Sequence, residues 1–293
     1  MTLSQTQVHQ AATLQQASEL AKQFGADARV LAGGTSLVVD LKTDRYRAGH
    51  VISIGRIAAL RGLSLADGGA RIGALTTLSQ LAKSTVIGQR FPALVEAARE
   101  MASPQIRNLA TVGGNIVGAV PCADLPPVLT VLDATLGLWS PAGQRTVPIE
   151  AFFVGARQTV LRNDEILTEI FVPDPPPRFG AAYARFGLRE ANSIAVAGVA
   201  AAVVLRDDGT VGEARICLNA VASTPKMVTQ AQSLLAGKVL DDAALAGAAQ
   251  AAVEAAQPIS DLRGTADYRR DLVGILTGRA LRKAAERAAR GTR

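Results

Sequence analysis

Two glycine pairs flanked by hydroxyl and amide side chains are the residues best suited to chemistry in this chain: Ala32-Gly33-Gly34-Thr35-Ser36 and Thr111-Val112-Gly113-Gly114-Asn115. A glycine pair lets the backbone turn so that successive N–H groups point at one spot, and the missing Cβ lets a phosphate oxygen approach closely. Thr35, Ser36, Thr111 and Asn115 add side-chain donors. On separate lobes, two such turns would hold opposite sides of a pyrophosphate, as a dinucleotide bound outside a Rossmann fold requires. Each pair taken alone is more commonly an ordinary tight turn with capping hydroxyls, because Gly-Gly beside Ser or Thr is frequent in loops.

Other chemistries are poorly provided for. The chain has no G-x-x-x-x-G-K-[ST], no G-x-G-x-x-G opening a helix, no G-x-S-x-G and no H-E-x-x-H. His9 and His50 read as surface or strand-end residues, so neither a serine triad nor histidine-ligated zinc is expected. Cys122 and Cys217 are far apart and form no C-x-x-C, so no metal site is expected, and any iron–sulfur chemistry belongs to a partner. No catalytic residue is assigned.

The net charge of +6 is concentrated at the end: from Arg263 to Arg293 there are nine Arg or Lys and three Asp or Glu, which accounts for the whole excess. With no nucleic-acid signature and no aromatic stacking platform beside it, this basic stretch reads as a solvated or partner-facing helix, and no nucleic acid is expected. The N-terminal MTLSQTQVHQAATLQQ lacks a basic start and an apolar core, and no run approaches the roughly eighteen apolar residues of a membrane span. The expected location is the cytoplasm.

The elements that must position the glycine pairs follow from periodicity. Leu14, Ala17, Leu20, Ala21 and Phe24 lie on one helical face with Thr13 as N-cap, and a strand-like run from Ala28 leads into the first glycine pair. An apolar run from Leu37 to Leu41 follows, and His50–Ile54 reads as a strand. Strands are expected at Ala70–Leu75 and Thr135–Trp139, and helices at Leu78–Lys83 and Phe91–Met101. The proline run from Pro173 to Pro177 marks a boundary. Beyond it, strands at Ala181–Leu188, Ile194–Leu205 and Gly212–Ala222 precede helices at Met227–Leu235, Ala243–Ala256 and Thr265–Ala289. The fold class is α+β, with lobes over residues 1–55 and 56–173 and a C-terminal α+β domain over 178–293.

The two pairs in their surroundings are more specific than either alone. Leu31-Ala-Gly-Gly-Thr-Ser-Leu37, Pro104-Gln-Ile-Arg-Asn-Leu-Ala-Thr-Val-Gly-Gly-Asn-Ile116, Ala123-Asp-Leu-Pro126, Asp164-Glu-Ile-Leu-Thr-Glu-Ile170 and Tyr268-Arg-Arg span nearly the whole chain. In this order and spacing the sequence resembles the FAD-binding subunits of the xanthine dehydrogenase and carbon monoxide dehydrogenase family of molybdenum hydroxylases. The resemblance implies a two-lobed FAD-binding fold of the vanillyl-alcohol-oxidase type with a C-terminal domain beside it. Leu31, Ala32, Gly33, Gly34, Thr35, Ser36 and Leu37 match the family's first pyrophosphate loop, and Thr111, Gly113, Gly114 and Asn115 match its second. Asp124 matches a polar cofactor contact, although it also suits a helix N-cap before Leu125-Pro126. Ile166 and Leu167 match apolar residues near the isoalloxazine ring, or are strand core.

Two departures carry consequences. Many relatives place a lysine where this chain has Arg185, which keeps the charge but does not deprotonate; Arg185 is then a candidate for stabilising reduced, anionic flavin. Covalent attachment in related oxidases uses a histidine at the position of Thr35, so FAD is expected to be noncovalent. The resemblance further implies a molybdopterin-binding large subunit and a small subunit with [2Fe-2S] clusters as partners, assembled as a dimer of heterotrimers. The chain's role is then electron transfer from those clusters through FAD to an external acceptor. The rival readings are a self-sufficient flavin oxidase of the same fold and a flavin-free scaffold, and flavin content with turnover by the isolated chain separates all three. For the basic helix, packing on its own lobe and contact with an acidic partner are both open.

Overall fold

The computed structural model describes residues 6–190 and 192–291; Met1–Gln5 of the N-terminal segment and Arg293 of the basic stretch lie outside them. The first lobe runs β1 (Gln7–Gln10), α1 (Leu14–Phe24), β2 (Ala28–Leu31), α2 (Leu37–Lys42) and β3 (His50–Ser53). Thr13 caps α1 as expected, its hydroxyl accepting from the Gln16 N–H at 3.1 Å. The strands pair in parallel in the order β1-β3-β2, and α1 covers them with Ala17 and Ala21 over Ile52. His9 and His50 face each other at a strand edge, with Nε2 and Nδ1 2.9 Å apart. Leu75 and Ile166 of the next lobe complete this core.

The second lobe contains β4 (Leu63–Ala66), β5 (Gly69–Gly73), α3 (Leu78–Lys83), α4 (Thr85–Arg90), α5 (Pro92–Glu100), α6 (Pro104–Leu109), α7 (Val112–Val117), α8 (Leu125–Val131), β6 (Thr135–Ser140), β7 (Gly143–Pro148), β8 (Phe153–Gly155), β9 (Gln158–Thr159) and β10 (Ile166–Pro173). An antiparallel sheet in the order β4-β5-β10-β6-β7 shares a core with the helices, and Leu94, Ile116, Leu129 and Phe152 are among its fully buried side chains. α3 begins with a reciprocal capping box, Thr77 Oγ1 accepting from the Gln80 N–H at 3.2 Å while Gln80 Oε1 accepts from the Thr77 N–H at 2.8 Å.

The third unit is β11 (Phe179–Gly187), β12 (Ala195–Leu205), β13 (Val211–Asn219), β14 (Lys226–Met227), α9 (Thr229–Leu235), α10 (Asp242–Ala255) and α11 (Ala266–Arg290). Its antiparallel sheet is buried on both faces: Ala182, Val199, Ala201 and Val203 pack toward α10 and α11, whereas Ala181, Tyr183, Ala200 and Ala202 join the second lobe's core. Burial on both sides explains why β12 is the continuous apolar run AVAGVAAAVVL and does not alternate with polar residues. Among the described residues no helix is long and apolar enough to cross a membrane.

α11 packs on its own chain, with Leu272, Leu276 and Leu281 buried. Its basic residues are partly consumed there: Lys283 lies 2.9 Å from Glu96 on α5, Arg287 pairs with the same carboxylate, and Arg282 pairs with Asp242 at 2.7 Å. Burial pushes Glu96 up, but Lys283 and Arg287 outweigh it and hold its carboxyl below the ordinary value. Tyr268 and Ile275 stay largely exposed on the same helix.

A buried polar cluster joins the third unit to the second lobe. The Tyr183 hydroxyl on β11 donates to Asp124 Oδ1 at 2.6 Å, and Asn219 Nδ2 on β13 donates to the Tyr183 oxygen at 2.7 Å. Asp124 stands at the N-cap position of α8, yet its side chain caps nothing and is spent on this cluster. Burial raises both the Asp124 carboxyl and the Tyr183 hydroxyl, and Arg185 partly offsets the first shift. Tyr183→Phe leaves Asp124 Oδ1 with only a 3.4 Å contact from Asn219. The expected loss is about 1–3 kcal/mol of stability, read from the urea midpoint, and an unchanged midpoint would show that the cluster contributes nothing.

Candidate FAD-binding cleft

A cleft of about 370 Å³ opens between the first two lobes. One wall is Ala32, Gly33, Gly34, Thr35, Ser36 and Leu37 with Asp40 and Tyr46; the other is Ala110, Thr111, Gly114, Asn115, Val117, Gly118, Val120 and Arg157. Both glycine motifs are therefore brought together, as the sequence suggests, but they supply different things.

The first motif is a true loop. Gly34 has φ +75°, a conformation that glycine adopts without penalty, and it turns the chain from β2 into α2. Among the described residues none of the N–H groups of Gly33, Gly34, Thr35, Ser36 and Leu37 has a partner, the next one, of Val38, being the first to bond, to Gly34 O at 3.0 Å. Unpaired donors in a row, with a cleft beside them, are what an anion needs.

The second motif is not the turn that its sequence suggests. Val112 to Val117 is helical, with Thr111 as N-cap accepting from the Gly114 N–H at 3.0 Å. The Val112 and Gly113 N–H groups are taken by Thr76 O and Ala74 O, both at 2.9 Å, and the Asn115 N–H by Thr111 O at 3.0 Å. Gly113 is needed because a Cβ there would meet the Ala74 backbone and Cβ at 2.7 Å. This side thus offers shape and a side chain: Asn115 Oδ1 is buried without a partner, and Asn115 lines the cleft. An orphaned buried acceptor costs free energy unless a ligand donor reaches it. Unspent donors on one wall and an unspent acceptor on the other fit a dinucleotide, whose phosphates accept and whose ribose hydroxyls donate.

The remaining sequence-derived residues lie away from the cleft wall. Leu31 ends β2, and Gly113 is packed beneath α7. Ile166 and Leu167 are buried at the start of β10, one in the first lobe's core and the other in the second's. Asp124 and Arg185 sit together in the buried cluster, where Arg185 reaches Asp124 at 3.5 Å, Glu100 O at 3.0 Å, and Ser193 O. Cys122 is partly buried and its thiol is pushed up by burial, the behaviour of an inert packing residue. Residues that sequence reasoning missed are Arg29, Asp40, Tyr46 and Arg157, which share the cleft wall without any local motif to announce them.

A cleft of this kind between two small α+β lobes, with donor loop opposite capped helix, has the features of a dinucleotide-binding protein. Comparison with known proteins identifies the dinucleotide as FAD. Residues 4–175 match the family described as the FAD binding domain in molybdopterin dehydrogenase, and residues 181–284 match the CO dehydrogenase flavoprotein C-terminal domain. The chain belongs to this family of FAD-binding oxidoreductase subunits. It is 38% identical over 282 residues to the carbon monoxide dehydrogenase medium chain of Hydrogenophaga pseudoflava, covering 96% of this chain and 97% of that one. It is 36% identical to the xanthine dehydrogenase FAD-binding subunit of Escherichia coli O157:H7, with 94% of each covered. Among solved structures, carbon monoxide dehydrogenase from Hydrogenophaga pseudoflava lacking the Mo-pyranopterin moiety superposes with a TM-score of 0.93 at 36% identity, covering 97% and 98% of the two chains. Quinoline 2-oxidoreductase from Pseudomonas putida 86 gives 0.90 at 28% identity, covering 98% and 99%.

The strand carrying Ile166 and Leu167 is anchored just before it begins. Glu165, with its side chain 3% exposed, takes Arg145 in a bidentate pair at 2.6 and 2.8 Å and the Arg162 N–H at 2.8 Å. The Arg145 hydrogen bonds hold the Glu165 carboxyl below its ordinary value of 4.5. A depressed carboxylate adds stability that is fully present above its unfolded pKa and is lost as pH falls through the lower folded value. The stability advantage of the wild type over Glu165→Gln, read from denaturant midpoints, is therefore expected to be full at neutrality and to shrink as pH drops below about 4.5. An equal advantage in strong acid and at neutrality would contradict the assignment.

Proposed function

We propose that the chain is the FAD-carrying electron-transfer subunit of a multi-subunit molybdenum hydroxylase. Electrons arrive from [2Fe-2S] clusters of a small partner subunit and leave for an external acceptor; molybdopterin and the organic chemistry belong to a large partner subunit. The observation that carries this reading is the cleft's complementary polarity: unpartnered N–H groups from Gly33 to Leu37 on one wall and the orphaned Asn115 Oδ1 on the other. FAD, when bound, supplies redox chemistry that can pass electrons singly or in pairs.

The protein's own part is binding and orientation. Ala32 to Leu37 receive the diphosphate through backbone dipoles and the Thr35 and Ser36 hydroxyls, and Asn115 and Thr111 close the opposite side. With Thr35 in the loop and no histidine there, the cofactor is held without a covalent bond. Asp124 and Arg185 support the site from the adjoining buried cluster, and Ile166 and Leu167 form apolar backing for the ring. The complex is a dimer of heterotrimers working in the cytoplasm.

The absorption spectrum of the purified chain, alone and with its co-expressed genomic neighbours, is the direct test. Flavin bands with FAD released intact by acid are the expected result, and a colourless protein in both preparations that takes up no added FAD would sink the reading in favour of a scaffold. Turnover of an organic substrate by the isolated chain would favour a self-sufficient oxidase. Gly33→Ala should yield a colourless protein with unaltered far-UV circular dichroism, because its Cβ would overlap the Leu109 carbonyl oxygen and open the cleft.

A further inference from the structure

We propose that Arg157 is a binding residue for the cofactor's diphosphate, held in place across the lobe junction by Asp40. The proposal rests on the FAD reading above and assigns a side-chain cation to a site where both glycine motifs offer only neutral groups.

Arg157 lies in the β8–β9 hairpin of the second lobe, and its guanidinium crosses to α2 of the first, donating to Asp40 Oδ2 at 2.7 Å and Oδ1 at 3.4 Å. Its backbone has φ +60°, a region uncommon for a side-chain-bearing residue, and its N–H is fixed by Ala119 O at 2.8 Å. Asp40 is 4% exposed and lies one helical turn beyond the donor loop, its N–H bonding to Ser36 O at 2.9 Å. The carboxylate that anchors Arg157 is therefore rigidly placed beside the unpartnered N–H groups.

The charge count separates a ligand site from a plain interlobe ion pair. A plain pair would be neutral. Asp40 instead takes a second guanidinium, Arg45 at 2.9 Å, and Arg29 and Arg157 both lie over the Tyr46 ring, 5.4 and 5.5 Å from its centroid. Of the charged residues that line the cleft, Arg29 and Arg157 outnumber Asp40, which leaves its wall with surplus positive charge. Arg29, Asp40, Tyr46 and Arg157 all line the same cleft as the loop. Bidentate pairing uses only part of the five-donor fork of an arginine, so Arg157 retains donors for phosphate oxygens. The ligand it suits is a diphosphate-bearing dinucleotide, as against a flavin without phosphates.

The test compares Arg157→Gln, Arg157→Lys and the wild type, each as the full chain with its co-purifying subunits and stripped of flavin. Dissociation constants for FAD and for riboflavin are read from flavin fluorescence at low and high salt, alongside melting temperatures of the flavin-free proteins. Loss of a charge-assisted hydrogen bond should raise the FAD constant of Arg157→Gln roughly ten- to a hundredfold and flatten its salt dependence. Riboflavin affinity should be unchanged, and Arg157→Lys should keep the wild-type salt dependence. Equal weakening of FAD and riboflavin by Arg157→Gln, or an unchanged salt dependence, would reduce Arg157 to a structural clasp and overturn the proposal. Wild-type protein that takes up no FAD would remove the cofactor reading, and this proposal with it.

Discussion

The cleft exists because two backbones touch. At Gly33 even a single Cβ would overlap the carbonyl oxygen of Leu109, so the first loop and the end of α6 meet with no side chain between them. Ala110, next along, lines the cleft and gives its carbonyl to the Leu78 N–H at 2.8 Å, which ties the contact to α3 and so to the second lobe's core. Two lobes with separate hydrophobic cores thereby share one wall. Remove that approach and the donors on one side no longer face the acceptor on the other.

The two glycine motifs divide the work in a way their similar sequences conceal. α7 is docked against residues 74–76 by backbone hydrogen bonds from Val112 and Gly113, and this docking consumes the N–H groups that a free helix start would offer a ligand. The loop at Gly33–Leu37 is docked by shape alone, and its donors remain unspent. One motif is therefore rigid and nearly saturated, the other open and polar. A diphosphate is attracted to the open loop, beside which the cleft lining carries Arg29 and Arg157 against the single carboxylate of Asp40.

Legibility in the sequence tracks how local each interaction is. Thr77 followed by Gln80 announces α3, and its boundaries agree with the periodicity, because a capping box lies within one turn. Thr111 is legible as a capping hydroxyl but the helix it caps is not, since Gly-Gly after it argues against a helix on propensity, and the packing of Gly113 on Ala74 overrides that preference. Asp124 could be singled out by type and setting, yet its partners Tyr183 and Asn219 stand 59 and 95 residues away. Arg157 and Asp40, 117 residues apart, leave no pattern at all. The short helices α4 and α6 are not legible, being too brief to complete a recognisable period, whereas the start of α8 at Leu125 agrees with Asp124 as its N-cap position.

The third unit supplies none of the described wall residues, yet the wall depends on it through one stretch of chain. Val117, Gly118 and Val120 line the cleft; a few residues on, Asp124 is fastened to Tyr183 and Asn219 in the third unit's sheet. Between them Ala119 O takes the Arg157 N–H at 2.8 Å, and Pro121 O takes the Ala220 N–H at 3.0 Å. Each bond pins the stretch from a different direction: Arg157 from the cleft, Ala220 from the end of β13. Because Asp124 and Tyr183 are buried, breaking their contact leaves a polar group unsatisfied in the interior, so this end of the stretch resists displacement more than any exposed loop would. The position of Val120 and of the guanidinium of Arg157 is thus set jointly by the second lobe and the third unit, which explains how a domain with no residue on the cleft wall nonetheless fixes its geometry.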